Sequence, residues 1–247
     1  MSTTIPRFPS LKRRSGASHE VYAALREAII RLELPPGSPL SPKDLAQQLG
    51  VSVTPVREAL LKLADEGLIE VYPQSGTYVT RINLSEACEF NFMRTSLECA
   101  TVRVAAQKIT PEQVDELRRL IAEQRRIAVV GPFDAFLELN DQFHRRIIEI
   151  SGYKRFWKTV VAANIHVDRM HTLHVNVPGY LARTVDEHEA ILDCLAEGDG
   201  ERAATLLYDH LLSLFTRLDP LMQAHPDFFT DDEVSIIDHD YEPLPGR

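Results

Sequence analysis

Three histidines fall on otherwise apolar helical stripes in three separate segments of the chain. His144 shares a stripe with Phe136, Asn140 and Ile147, His188 lies among Leu181, Val185, Leu192 and Leu195, and His210 among Ala203, Leu207 and Leu214. Residues three and four apart share a helix face, so each imidazole is expected to point into a helical interior. One such histidine is ordinarily a hydrogen-bonded core residue. Three need several partners at once, because a buried polar group without a hydrogen bond is costly. A shared divalent cation would satisfy all three. Imidazole suits Zn, Ni, Cu and Fe, with Zn or Ni expected here. Asn140, one turn before His144, shares its inward face. Asp141 and Glu187 are expected to face elsewhere, since one helical position turns a side chain by about 100°.

A second chemistry sits near the N-terminus. Ser52, Thr54, Arg57 and Lys62 lie on the exposed side of a short helical pattern that follows a tight turn, and Lys43 opens the helical pattern before it. A helix presented this way fits the DNA major groove, and a guanidinium bonds guanine O6 and N7 in bidentate fashion, which makes Arg57 the best base reader. Lys43 is placed to meet a phosphate. Any one of these charges alone reads as a solvated surface; their joint placement on one frame favours nucleic acid.

The elements that position these residues follow from punctuation and period. Val21, Leu25, Ala28, Ile29 and Leu32 form one helical stripe, stopped by Pro35-Pro36-Gly37. Ser41-Pro42-Lys43-Asp44 reads as a capped helix start, with the serine as cap and proline in the first position. That helix ends at Gly50, and a third runs from about Thr54 to Gly67, burying Val56, Ala59, Leu60 and Leu63. Leu68–Val71 and Thr77–Thr80 read as strands around the turn Pro73-Gln74-Ser75-Gly76. This order is a winged helix-turn-helix over 19–82. Beyond it, helices are predicted at about 84–107, 111–128, 133–151, 154–174, 180–197 and 200–223, an all-helical bundle over 83–224. The fold class is therefore mainly α. Residues 1–18 read as a flexible arm with a basic cluster at Lys12, Arg13 and Arg14, suited to the DNA backbone or minor groove. Residues 225–247 form an acidic tail whose Phe228, Phe229, Ile236 and Ile237 are available to dock on the bundle.

Charge divides along the same line. The net charge of −9 splits into +2 for residues 1–82, with ten Lys/Arg against eight Asp/Glu, and −11 for the remainder. Only the first part tolerates a phosphate backbone, so two tasks on two domains are expected. No apolar run approaches the roughly 18 residues that span a bilayer. Cys88, Cys99 and Cys194 show no paired spacing, which fits small core residues in a reduced, cytoplasmic setting.

The run from Leu40 to Leu60, including Asp44-Leu45-Ala46, Gly50-Val51-Ser52 and Thr54-Pro55-Val56-Arg57-Glu58-Ala59-Leu60, resembles the signature of GntR-family regulators. Glu66-Gly67-Leu68-Ile69 and the wing Gly76-Thr77-Tyr78-Val79 fit it too, so the resemblance covers about 19–82 without a gap. The helical remainder is similar to the FCD effector domain of the FadR subfamily. That resemblance implies metal ligands at Asn140, His144, His188 and His210, a homodimer, and by two-fold symmetry a palindromic double-stranded operator. It also implies an effector role for Arg94, whose guanidinium suits a carboxylate; an ion pair with Glu98 at i, i+4 is the equal alternative. Arg169, with His171 and His174, lies on a helix that could line the same pocket. Two departures stand out. Val53 occupies a position where the family usually has a base-reading Arg, and the wing turn carries no charge.

The leading expectation is a ligand-responsive DNA-binding regulator, not an enzyme, whose metal holds a small organic acid. A metalloenzyme in the helical domain and a purely structural metal are the alternatives.

Overall fold

The computed structural model describes residues 16–230 apart from 164 and 176. The basic cluster Lys12–Arg14, and Ile236 and Ile237, lie outside the described residues. The chain runs α1 (Ala17–Ile30), β1 (Pro39–Leu40), α2 (Pro42–Leu49), α3 (Val53–Asp65), β2 (Ile69–Tyr72), β3 (Gly76–Val79), α4 (Leu84–Ala106), α5 (Pro111–Val130), α6 (Phe133–Ser151), α7 (Phe156–Ala163), α8 (Ile165–His174), α9 (Tyr180–Glu197), α10 (Gly200–Ser213) and α11 (Asp219–Ala224).

Two compact units form. The first combines, among the described residues, 16–84 with the distant stretches 165–172 and 220–230. In it, α1, α2 and α3 bury Val21, Leu25, Ile29, Leu45, Leu49, Val56, Leu60 and Leu63 in one core. Ser41 Oγ accepts from Asp44 N at 3.3 Å and Pro42 opens α2, as the sequence pattern predicts. Gly50 then takes the left-handed conformation (φ 69°), which turns the chain sharply into α3. A three-stranded antiparallel sheet of order β1-β3-β2 makes the wing, with Ile69 opposite Val79 and Tyr72 opposite Gly76. Two residues long, β1 carries no period for sequence reasoning to detect.

The second unit comprises, among the described residues, 85–163 and 173–219. Here α5 packs on α6 and α9, and α9 on α10. Val102, Leu117, Ile121, Phe136, Phe143, Ile147, Val185, Leu192, Leu195 and Leu207 belong to its core. Thr110 and Gln113 form the reciprocal cap of α5 that their spacing predicts.

Two expected helices are divided. The pattern read as one helix over 154–174 forms α7, in the second unit, and α8, mainly in the first, and that over 200–223 forms α10 and α11. The tail also docks differently. Phe229 is buried, and its neighbours bond Ile82 in the first unit, not the bundle. Chain order fails here because an apolar residue is satisfied by whichever core reaches it.

Candidate metal centre and nucleic-acid interface

In the first unit, α3 turns Val56, Ala59, Leu60 and Leu63 inward and leaves Ser52, Thr54, Arg57 and Lys62 exposed; Lys43 is exposed on α2. The buried stripe fixes which side of α3 is offered to a partner. Lys62 Nζ lies 5.8 Å from the centroid of the Tyr22 ring, which biases that flexible cation toward one place. Val53 is half-buried against the core, so the first turn of α3 presents an aliphatic patch at this position. Leu61 (64% exposed) and Val71 and Tyr72 of the wing are further apolar groups on this unit's surface.

In the second unit, the three histidines come together. All are buried, and ligand atoms of His144, His188 and His210 lie within 4.8 Å of one another. Each ring is held from outside through Nδ1. His144 Nδ1 is 2.7 Å from Glu98 Oε2, His188 Nδ1 is 2.8 Å from Gln124 Oε1, and His210 Nδ1 is 2.7 Å from Glu187 Oε2. Gln124 Nε2 donates to Leu139 O at 2.8 Å, which fixes its oxygen toward His188. With oxygen acceptors on every Nδ1, each neutral imidazole carries its proton there and turns a bare Nε2 lone pair inward. His188 Nε2 and His210 Nε2 face each other at 3.3 Å, and His144 Nε2 is buried with no hydrogen-bond partner among the described residues. Converging lone pairs repel unless a cation lies between them. The donor set fits a divalent metal, and the outer oxygens are the partners that orient ligating histidines.

The electrostatics agree. Burial pushes His144 down to about 4, with the attraction of Glu98 opposing it, so the ring is neutral at pH 7. Burial is the largest influence on Glu98 and alone would raise it, but the Arg94 guanidinium and His144 together outweigh it and bring the carboxyl to about 2. Arg94 Nε donates to Glu98 Oε1 at 2.6 Å, both groups nearly fully buried. Cys99, next to Glu98 in the chain, is half-buried with its thiol raised to about 12 by burial.

Sequence profiles now bear on these two units. Residues 17–79 match that of the bacterial regulatory proteins of the gntR family, and residues 89–213 match the FCD domain. The chain belongs to the GntR family. Relatives of this GntR regulator include an HTH-type regulator in an unstable DNA locus of Streptomyces ambofaciens, 33% identical over 88% of this chain and 91% of that one. The HTH-type transcriptional repressor RspR of Escherichia coli is also 33% identical, over 87% of this chain and 94% of that one. Among solved structures, E. coli McbR/YncC is similar at 25% identity with a TM-score of 0.66, covering 86% of this chain and all of that one. The protein is thus a DNA-binding transcription regulator with an FCD domain.

Several expected site residues are placed differently from their sequence reading. Glu187 does not face away; it reaches His210, because α10 packs over α9 and a glutamate stem spans the rotation of one helical position. Arg94 makes the ion pair with Glu98 that was its alternative role. Arg169 is not among the histidines; it is wholly buried in the first unit, where Nη1 donates to Thr80 O at 2.7 Å. His174 is buried in the second unit with its ring centroid 5.2 Å from that of Tyr180. Asn140 is buried one turn before His144. Glu98 and Gln124 were not foreseen as partners of the cluster, although both stand on inward stripes. A cavity of about 510 Å³ adjoins the cluster, lined by His210 and Glu187 together with Arg183, Asp186, Asp209 and Arg217.

Proposed function

We propose that this regulator responds to a small organic acid bound beside a divalent metal held by His144, His188 and His210. The observation that carries the proposal is the convergence of the three histidines, whose Nδ1 atoms each contact an outer oxygen and leave Nε2 turned inward. Asn140 supplies a fourth, neutral ligand, so the site keeps more of the ion's positive charge than an aspartate would leave. The metal, Zn or Ni, supplies Lewis-acid positions that accept an anionic oxygen. The cavity against His210 and Glu187 is of a size that suits a small organic molecule, and Arg183 and Arg217 offer it cations. Arg94 acts through Glu98, setting the negative charge that orients His144.

The regulator acts as a cytoplasmic homodimer on a palindromic operator, read by Arg57 with Thr54 and Ser52 while Lys43 and Lys62 meet phosphates. The acid changes operator affinity only as far as it favours one arrangement of the paired DNA-binding units. An enzymatic reading is disfavoured because the carboxylates beside the cluster, Glu98 and Glu187, are already engaged with histidine Nδ1 atoms.

The test is titration of metal-free full-length protein with Zn(II) and Ni(II) by calorimetry, then of citrate and succinate, reading affinity for a DNA duplex selected by the wild-type chain. Stoichiometric metal binding and an acid-dependent change in DNA affinity are expected. Metal binding that raises the melting temperature but transmits no acid response would make the ion structural; no metal binding would overturn the proposal.

A further inference from the structure

The DNA-binding unit is built from three stretches of chain, and the two late ones carry groups that recognition by α3 does not explain. Arg169, on α8, is 0% exposed and among the largest fully buried side chains. Its Nη1 donates at 2.7 Å to the carbonyl of Thr80, 89 positions earlier in the chain. Burial lowers the guanidinium to about 10, so it is still charged at neutral pH.

Thr80 is the root of the wing. It directly follows β3, its amide donates to Leu68 O at 3.0 Å, and its Oγ1 donates to Gly67 O at 2.8 Å. Gly67 and Leu68 are the residues by which the chain leaves α3 and enters β2. One turn along α8, Thr172 Oγ1 shares its proton between Ile30 O at 2.9 Å, on the last residue of α1, and Asp168 O at 3.1 Å. The C-terminal stretch adds a parallel bridge: Ile82 N donates to Phe228 O at 2.8 Å and Thr230 N to Ile82 O at 3.1 Å, while Arg81 Nε donates to Asp227 O at 3.1 Å.

A buried guanidinium is costly to desolvate, and an aliphatic side chain of similar volume would fill the same space at less cost. What the charge adds is direction. A short charge-assisted bond to one carbonyl specifies one position for the wing root, where apolar packing alone tolerates a slip. A small hairpin sheet has little rigidity of its own, so its root must be held from outside.

We infer that Arg169 is a positioning residue for operator recognition: from α8 it holds the wing root in register with the end of α3, with Thr172 and the Phe229 bridge as secondary ties. The two ends of α3 then do separate jobs. The N-terminal end reads bases, and the C-terminal end is aligned with the wing by a residue far outside the profile-matched DNA-binding segment, 17–79. The inference is independent of the metal.

The experiment uses the full-length chain and the duplex selected by the wild type from a random library, with a scrambled duplex beside it, both read by fluorescence anisotropy. Arg169→Met is expected to lose about tenfold or more in affinity for the selected duplex, the scale of one charge-assisted hydrogen bond to a buried acceptor. Affinity for the scrambled duplex should stay unchanged, because the exposed cations remain. Hydrogen exchange in peptides covering 67–82 should accelerate, and Arg169→Lys should recover part of the lost affinity. Equal loss on both duplexes would mean a role in stability alone and overturn the inference, as would undiminished binding. If Arg169→Met fails to fold by circular dichroism, the near-isosteric Thr172→Val decides. A two- to fivefold loss confined to the selected duplex, on the order of one neutral hydrogen bond, supports the inference, and unchanged binding overturns it.

Discussion

The proposed recognition surface and the histidine cluster solve opposite problems. On α3 the chemistry is exposed: Arg57, Lys62, Thr54 and Ser52 stand in water, and their placement follows from the apolar stripe behind them. In the bundle the chemistry is buried, and His144, His188 and His210 are each set by a partner on another helix, namely Glu98, Gln124 and Glu187. An exposed cation costs little to hold and acts on whatever approaches. A buried imidazole must be oriented before it can ligate anything. The contrast teaches that in this protein one surface is written locally and the other is assembled across helices.

Perturbations should separate the two. The largest effect is expected from His188→Ala, which removes the central ring, stacked on Phe143 and facing His210, and should abolish stoichiometric Zn(II) uptake in calorimetry. Operator affinity in metal-free buffer should be unchanged; a joint loss would break the comparison.

Acid should come next. His144 titrates at about 4 in the folded chain against 6.5 when unfolded, so the unfolded chain takes up the proton first as pH falls. The stability gained by keeping this ring neutral is complete above 6.5 and is lost between 6.5 and 4, about 3 kcal/mol in all. Glu98, held at about 2 against 4.5, extends the loss in the same direction between those values. Denaturant unfolding of metal-free protein at pH 7, 5.5 and 4 measures this, and a His144→Gln variant with the same slope would exclude His144 as its source.

Glu98→Gln keeps the shape but removes the charge that orients His144, and should weaken metal binding by about 10- to 100-fold. Arg57→Ala should cost about 1–3 kcal/mol of discrimination on the selected duplex and leave metal affinity alone. The smallest effect is expected for Ser41→Ala. Its cap bond is long at 3.3 Å and exposed, so a loss near 0.5 kcal/mol in thermal unfolding is expected, at the low end for caps.

Much of this was legible without coordinates. Periods of three and four residues placed His144, His188 and His210 on inward faces, and Ser41-Pro42 and Thr110-Pro111 marked helix starts that the structure retains. Glu187 was misread because a helical wheel treats a side chain as a fixed direction, whereas a glutamate bends toward whichever helix packs beside it. For Arg169 the limit is related: helical period does not show which core a helix joins, and α8 lies mainly in the unit of the earlier helices.

By itself the sequence determined what is local: the helices and their caps, the tight turn at Gly50, the exposed side of α3 and the inward faces of the histidines. These depend on hydrogen bonds and periods spanning a few residues. Tertiary structure alone decided which partner each buried polar group met, from Glu98 on His144 to Arg169 on Thr80. Those bonds join residues 46 and 89 positions apart. No local pattern encodes such a pairing, because in a packed interior the partner of a buried charge is set by which helices meet.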